Sequence, residues 1–253
     1  MMKNVHLCPE WLNDTFVKKL QTFGPSTNKD FRLFVTSEIS PKLPTALLRL
    51  SDVIVAEASS GIKASMTRFM ASLTKTRLEK SLIRNRLYLL VSWTHAVLEE
   101  RVRYGWTYEL AEADSRNALK VIDEFIDIQV KDPDQIPFDA LSTTLKVDVF
   151  GSRIAKEEDQ AILNAMIDSI FTKSAFDLKY PLVPALGEAG PLVPDSTSID
   201  QMNAWIAKLP SHSPPTWVGL GEDAEEVLEK VQAEKIYNTV EEVSSSIAAT
   251  TSK

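Results

Sequence analysis

The hydrophobic pattern of residues 30–55 predicts a short buried strand followed by a short helix. The run 31–35 is almost continuously apolar, which is typical of a parallel strand covered on both faces. The polar residues Thr36 and Glu38 follow it, at the carboxyl end where open α/β sheets place ligands. After a turn that contains prolines, the apolar group 46–48 predicts a short helix.

Most of the remaining chain has apolar residues at spacings of three and four, which predicts helices. The segment 82–104 is apolar on more than one face, so we expect it to be buried among other helices. Another helix is predicted before residue 82, and Ser59 or Ser60 is its candidate N-cap. Three acidic residues at 157–159 suit the positive end of a helix dipole better than a metal or acid–base site.

Composition excludes several classes of protein. The chain has 253 residues and a formal charge of -7, which argues against nucleic-acid binding because phosphate neutralisation needs clustered Lys and Arg. No run approaches the roughly 20 apolar residues of a membrane span, so no membrane partner is expected. Cys8 is the single cysteine, which excludes an internal disulfide and fits a reducing compartment.

Several ordered motifs resemble the carboxyl-terminal part of the motor of dynein heavy chains, most closely the cytoplasmic class. FRLFVTSEISPKLPTALLR and GIKASMTRFM resemble the end of the sixth AAA+ module. Further landmarks follow in the same order: IRNRLYLLVSWTHAVLEERVRYGW, PDQIPFDAL, VFGSRIAKEEDQAILNAMIDSIF and IAKLPSHSPPTWVGLGEDAEEVL. The resemblance covers most of the chain from about residue 4 to residue 230.

This resemblance implies a mainly α fold with a small α/β remnant. Residues 1–58 are expected to be the end of an AAA+ large subdomain with one or two parallel strands, and 59–176 its helical lid. Residues 177–243 are expected to begin the dynein carboxyl-terminal region, with a proline-rich connector over 177–197. The serine- and threonine-rich tail 244–253 is expected to be disordered.

Two positions depart from the family's pattern. The turn around Gly105 is shorter than the proline- and glycine-containing turn that the family usually has there. The family commonly has a Gly-Gly pair where this chain has Gly151 and Ser152. If the second position required a positive φ, Ser152 would cost about 1 kcal/mol relative to glycine.

The phosphate-binding motif G-x-x-x-x-G-K-[ST] does not occur in the 253 residues. ATP hydrolysis by this class needs that loop, because its backbone N–H groups and its lysine hold the phosphates. Where a working AAA+ ATPase has its acidic Walker B pair, the resemblance places Asn4, Val5 and His6. We therefore expect no catalytic, cofactor-binding or metal residues in this chain, and ATP and Mg²⁺ only in other modules of a parent motor.

Arg49 occupies a place similar to that of the AAA+ inter-subunit arginine. The neighbouring nucleotide site implied by the family does not cycle nucleotide, so an interface salt bridge is favoured over a catalytic finger. Thr36 and Glu38 join it in the expected inter-module interface. For His6 a capping or core role is favoured over catalysis, and for His95 a core or interface role is favoured over metal binding.

The resemblance implies a non-hydrolysing structural and coupling module of a minus-end-directed, ATP-driven microtubule motor. Its expected partners are the fifth and first AAA+ modules and, through the parent, dynein light and intermediate chains and microtubules in the cytoplasm. The alternative is a stand-alone helical interaction protein derived from a dynein gene. Because most of a parallel sheet would be missing, the first segment should also expose apolar surface and unpaired strand edges.

Overall fold

The chain divides into two units, Met1–Glu57 and Ala58–Lys253. A computed structural model describes residues 1–23, 27–55, 61–78, 81–108, 110–126, 132–195 and 197–251, with the backbone alone at 242 and 245–251. The candidate caps Ser59 and Ser60 lie outside the described residues. Each unit has its own hydrophobic core.

The first unit contains three α-helices among its described residues. They are α1 (Pro9–Trp11), α2 (Val17–Gln21) and α3 (Thr45–Arg49), and a π-helical segment, Leu12–Phe16, joins α1 to α2. Pro9 stands at the first position of α1, where its missing N–H leaves no hydrogen bond unmade. The small core consists of Val5, Leu12, Phe16, Val17 and Leu47, so the predicted helix over 46–48 is present and packs through Leu47.

The prediction that residues 31–35 are covered on both faces is wrong. The segment is extended, and Val35 forms a parallel bridge with Met2, but the side chains of Phe31 and Phe34 are 47% and 66% exposed. The physical reason is that the described residues supply only one neighbouring extended segment and one packed face. The prediction of exposed apolar surface in this region is confirmed, since Val53, Ile54 and Val55 are also exposed.

The second unit is helical. Its longer elements are α4 (Ile62–Ser72), α5 (Lys75–Leu78), α6 (Leu82–Arg103), α7 (Glu112–Phe125), α8 (Phe138–Thr144), α9 (Glu157–Ile170), α10 (Ile199–Lys208) and α11 (Ala224–Thr251). In the described part of the chain, β structure is limited to two isolated bridges, Met2 with Val35 and Pro181 with Leu192. The predicted fold class, mainly α with a small α/β remnant, is confirmed.

Helix α6 lies at the centre of this unit. Most of its residues are buried, including Leu87, Tyr88, Trp93 and Leu98, as the apolar pattern on several faces predicted. Helices α4, α7 and α9 pack against it. The same core continues to Val218, so it crosses position 176, where the sequence predicted a domain boundary.

The segment 177–197 and the end of the chain differ from the predicted extended connector and disordered tail. The proline-rich segment 177–197 contains a 3₁₀ turn, Pro184–Ala189, and buries Leu182 and Val193 in the core. Helix α11 continues to Thr251, although disorder was predicted from residue 244. No Pro or Gly interrupts residues 224–251, so the helix has no strong stop signal in its sequence.

The structure also removes the proposed strain at Ser152. Gly151 and Ser152 lie in a short 3₁₀ turn, Gly151–Arg153. Among the described non-glycine residues, a positive φ occurs only at Asn4 and Lys179. The condition for the predicted cost at Ser152 is therefore not met, and any requirement for glycine falls on Gly151.

Candidate functional site

Thr36 holds the first residues of the chain through its backbone and its side chain. Its N–H donates to the carbonyl of Met2 over 2.9 Å, and its carbonyl accepts from the N–H of Val5 over 3.1 Å. Its hydroxyl oxygen accepts from the N–H of Asn4 over 3.2 Å. These bonds fix the polar end of the extended segment against the first turn of the unit.

Glu38 and His6 form the second contact at this end of the segment. The N–H of Glu38 donates to Nδ1 of His6 over 3.0 Å, and Nε2 of His6 lies 3.7 Å from Oε2 of Glu38. His6 is mostly buried, whereas the Glu38 side chain is 83% exposed. The contact orients the imidazole and leaves the Glu38 carboxylate facing solvent.

Arg49 does not take part in the contact between His6 and Glu38. It is the last residue of α3 and is exposed. Its position at the carboxyl end of a helix is favourable for a cation. No ion pair joins it to another residue in the described part of the chain.

In the second unit, Arg86 of α6 binds three carbonyl groups from two distant segments. Its guanidinium donates to the carbonyls of Ala175, Pro194 and Asp177 at distances of 3.0, 2.7 and 2.9 Å. Burial lowers the pKa of Arg86, and the charges of Asp195 and Asp177 oppose that effect. Ala175 and Asp177 lie at the end of a 3₁₀ turn, Lys173–Phe176, and Pro194 lies in irregular chain, so one side chain supplies donors that a longer helix or a sheet would otherwise provide.

A second, partly buried network joins α5, α6 and α7. Nε of Arg77 donates to the hydroxyl of Tyr88 over 2.9 Å, while Asp123 accepts from both Tyr88 and Arg77. Arg84 lies 3.3 Å from the same carboxylate. Burial and the hydrogen bond to Asp123 raise the pKa of Tyr88 to about 12, because the phenolate would be desolvated and would lie beside a carboxylate.

The Arg86 cluster and most of the second network lie in a part of the chain that matches a known protein family, and Arg77 lies just before that part. Residues 84–224 match the model described as "Dynein heavy chain AAA lid domain". Residues 1–55 match "Dynein heavy chain region D6 P-loop domain". The chain belongs to the dynein heavy chain family.

Individual dynein heavy chains match nearly the whole sequence. The cytoplasmic dynein heavy chain of Dictyostelium discoideum is 40% identical over 97% of this chain. Those of Paramecium tetraurelia and Caenorhabditis elegans are 39% and 38% identical over 95% and 90% of it. The chain spans only 5–6% of the length of these relatives.

Within this dynein sequence, the predicted interface residues remain a prediction. The structure places Thr36 and Glu38 together with Asn4 and His6, and gives Arg49 no partner among them. The role of His95 is compatible with the favoured core interpretation: the side chain is 4% exposed, and Nε2 lies 3.4 Å from the carbonyl of Ala111. Burial lowers its pKa.

Sequence reasoning missed the polar anchors of α6. Arg84, Asn85 and Arg86 separate apolar residues 82–83 from the apolar run 87–91, and a charge on a helix predicted to be buried requires a partner. That conflict was the available signal. No helix in the described part of the chain is both long and apolar enough to cross a bilayer, and no cluster of metal-ligating side chains occurs there.

Proposed function

We propose that this chain is a non-hydrolysing structural and coupling module of the AAA+ ring in a minus-end-directed, ATP-driven microtubule motor. The observation that carries the proposal is the anchoring of α6. Arg86 binds carbonyls that are 89 to 108 residues away in sequence, and Asn85 binds the carbonyls of Leu78 and Thr197. The end of α5 and the segment 175–197 are thus joined to one helix.

Such anchoring suits the transmission of movement. Packed helices move as units between discrete arrangements, because a close-packed interior does not deform continuously. Buried cation-to-carbonyl bonds strengthen this behaviour, since separating the partners would leave polar groups without water or protein contacts. A module of this kind transmits rigid-body displacement without performing chemistry.

Hydrolysis would then belong to other modules of the parent. Asn4, Val5 and His6, at the place where a working AAA+ ATPase has its acidic Walker B pair, support a module that receives movement and does not cleave ATP. The purified chain should show no saturable ATP turnover with Mg²⁺. Saturable turnover that persists after further purification would contradict the proposal.

The proposed partners are the fifth and first AAA+ modules of the same heavy chain. Through the parent they include dynein light and intermediate chains and microtubules, in the cytoplasm. The extended segment supports a docked neighbour on structural grounds, because Phe34 and Thr36 direct their bonded backbone groups toward Met2. In an extended strand, the backbone N–H and C=O groups of the alternate residues Leu33 and Val35 point to the opposite edge. A strand of the parent protein would pair at that edge.

We assign Arg49, with Glu38 and Thr36, to the inter-module interface. Arg49→Glu in the intact heavy chain should weaken ring closure and slow microtubule gliding, because an attractive contact becomes repulsive. Lys42→Glu, an exposed charge reversal in the turn before α3, is the matched control. Unchanged velocity and assembly for Arg49→Glu would refute the assignment without affecting the coupling role of the second unit.

The stand-alone interaction protein is not favoured. In that alternative, the chain kept the dynein core pattern and binds a partner through its acidic tail, whereas the relatives that match both of its units are dynein heavy chains. Relatives also match across the two units without interruption of the order of motifs.

A further inference from the structure

The last turn of α6 connects the starts of two other helices. Glu100 accepts a hydrogen bond from the N–H of Gly61, directly before α4, over 3.0 Å. Its other carboxylate oxygen lies 3.1 Å from Nη1 of Arg103. Arg103 also binds Glu225 in the first turn of α11, so one arginine is shared by a buried and a half-buried carboxylate.

The start of α11 is held at more than one point. The hydroxyl of Tyr104 donates to Oε2 of Glu225 over 2.7 Å, and Nε2 of His212 lies 3.7 Å from Oε1. These groups hold the carboxylate on two sides. Beyond this turn, residues 229–241 of α11 are exposed, so the direction of that stretch depends on how its base is held.

The start of α4 is equally constrained. Gly61 has a φ of +86°, and a Cβ there would lie 2.9 Å from the carbonyl oxygen of Ser211. The Glu100 side chain is only 5% exposed, so its charge depends on Arg103 and on the Gly61 N–H for compensation. Loss of Arg103 would leave this buried carboxylate with the Gly61 N–H but without its cation, which is costly enough to displace the Glu100 side chain.

We propose that Glu225, Arg103 and Glu100 form a latch that fixes the direction of α11 and couples it to the start of α4. Breaking the Glu225 contact releases the base of α11. Removing Arg103 loosens the starts of α4 and α11 together, because Glu100 then turns toward solvent and loses its hydrogen bond from the Gly61 N–H. The latch is a conformational device within the second unit, and it does not depend on the function proposed above.

The first test measures the direction of α11 in the full chain. Spin labels on Ala64→Cys and Gln232→Cys, in a Cys8→Ser background, report the distance between exposed sites on α4 and α11 by double electron–electron resonance. We expect Glu225→Ala to abolish the single narrow distance. Glu226→Ala is the matched control, since it removes the neighbouring charge of the same first turn, which pairs within α11 to Lys230.

The second test uses Arg103→Met, which keeps most of the side-chain stem and removes the cation. Amide exchange of Gly61, followed by NMR, should become about tenfold faster, the factor for losing a hydrogen bond of ~1.4 kcal/mol. Circular dichroism checks that the helices remain folded in every variant. A narrow distance retained in Glu225→Ala, equal broadening in Glu226→Ala, or unchanged Gly61 exchange in Arg103→Met would each overturn the latch.

Discussion

A Cβ atom placed on Gly151 would lie 1.9 Å from the carbonyl oxygen of Lys146. The same atom would lie 2.7 Å from the side-chain nitrogen of Gln160. That nitrogen itself donates to the Lys146 carbonyl over 3.3 Å. The turn between α8 and α9 therefore packs so closely around Gly151 that its α-carbon can carry a hydrogen atom but not a methyl group.

Gly151→Ala should destabilise the second unit by about 2–4 kcal/mol, because backbone must move to admit the methyl group. Urea unfolding followed by circular dichroism measures the free energy. Ser152→Ala changes the next residue of the same turn, which is exposed, and is expected to change stability by less than about 1 kcal/mol. Similar values for the two variants would show that the close approach is not maintained in solution.

Arg86→Met should cost about 3 kcal/mol or more, because three carbonyl groups would lose their shared donor while remaining partly buried. Urea unfolding again measures the effect. Arg116→Met on α7 is the control, since its guanidinium is 63% exposed and lies 3.9 Å from Glu112. If the two methionine variants unfold at the same urea concentration, the anchoring of α6 by Arg86 is refuted.

Two tyrosines should ionise late when the folded chain is titrated. Burial and hydrogen bonds to carboxylates raise the pKa values of Tyr88 and Tyr104 to about 12. The folded-state pKa exceeds the unfolded value of about 10, so their stabilising contribution is fully present below pH 10 and is lost as the pH rises toward 12. Tyrosinate absorbance measures the ionisation.

Tyr88→Phe assigns one of these late steps. The variant should lose one late-titrating tyrosine and keep the step of Tyr104, whose partner is Glu225. Tyr104→Phe should show the reverse. An undiminished late step in both variants would contradict the assignment to these residues.

The exposed apolar surface of the first unit should make the isolated chain self-associate and bind hydrophobic dyes. Phe34→Lys and Ile54→Lys, which alter side chains that are 66% and 90% exposed, should reduce both effects with little loss of stability. Size-exclusion chromatography and dye fluorescence measure them. Leu47→Lys, in the small core of the unit, is the contrasting variant and should unfold it.

Local pattern was sufficient for much of the helical architecture. Apolar residues on several faces predicted the burial of α6, and spacings of three and four predicted helices such as α9, in which Leu163, Ile167 and Ile170 are buried. Acidic residues at 157–159 likewise indicated where α9 begins. These features depend on neighbours within a turn or two, so the sequence contains them directly.

The candidate interface was predictable only in part. The sequence indicated the polar end of the extended segment, but it gave His6 no acidic partner, and Glu38 reaches it from 32 residues away. The sequence wrongly predicted that Phe31 and Phe34 are buried, because an apolar run shows only that a strand is able to be covered on both faces. Whether a second face is covered depends on which other segments are present.

By itself, the sequence determined where the helices of this dynein heavy-chain segment lie and that no phosphate-binding loop is among its residues. The tertiary structure alone decided which distant groups these charged side chains bind: Arg86 donates to the carbonyl of Pro194, and Glu225 accepts from Arg103, each more than one hundred residues away. The reason is physical. Periodicity fixes which face of a helix is apolar, whereas the partner of a buried charge is selected by the packing of distant segments, and no local spacing records that choice.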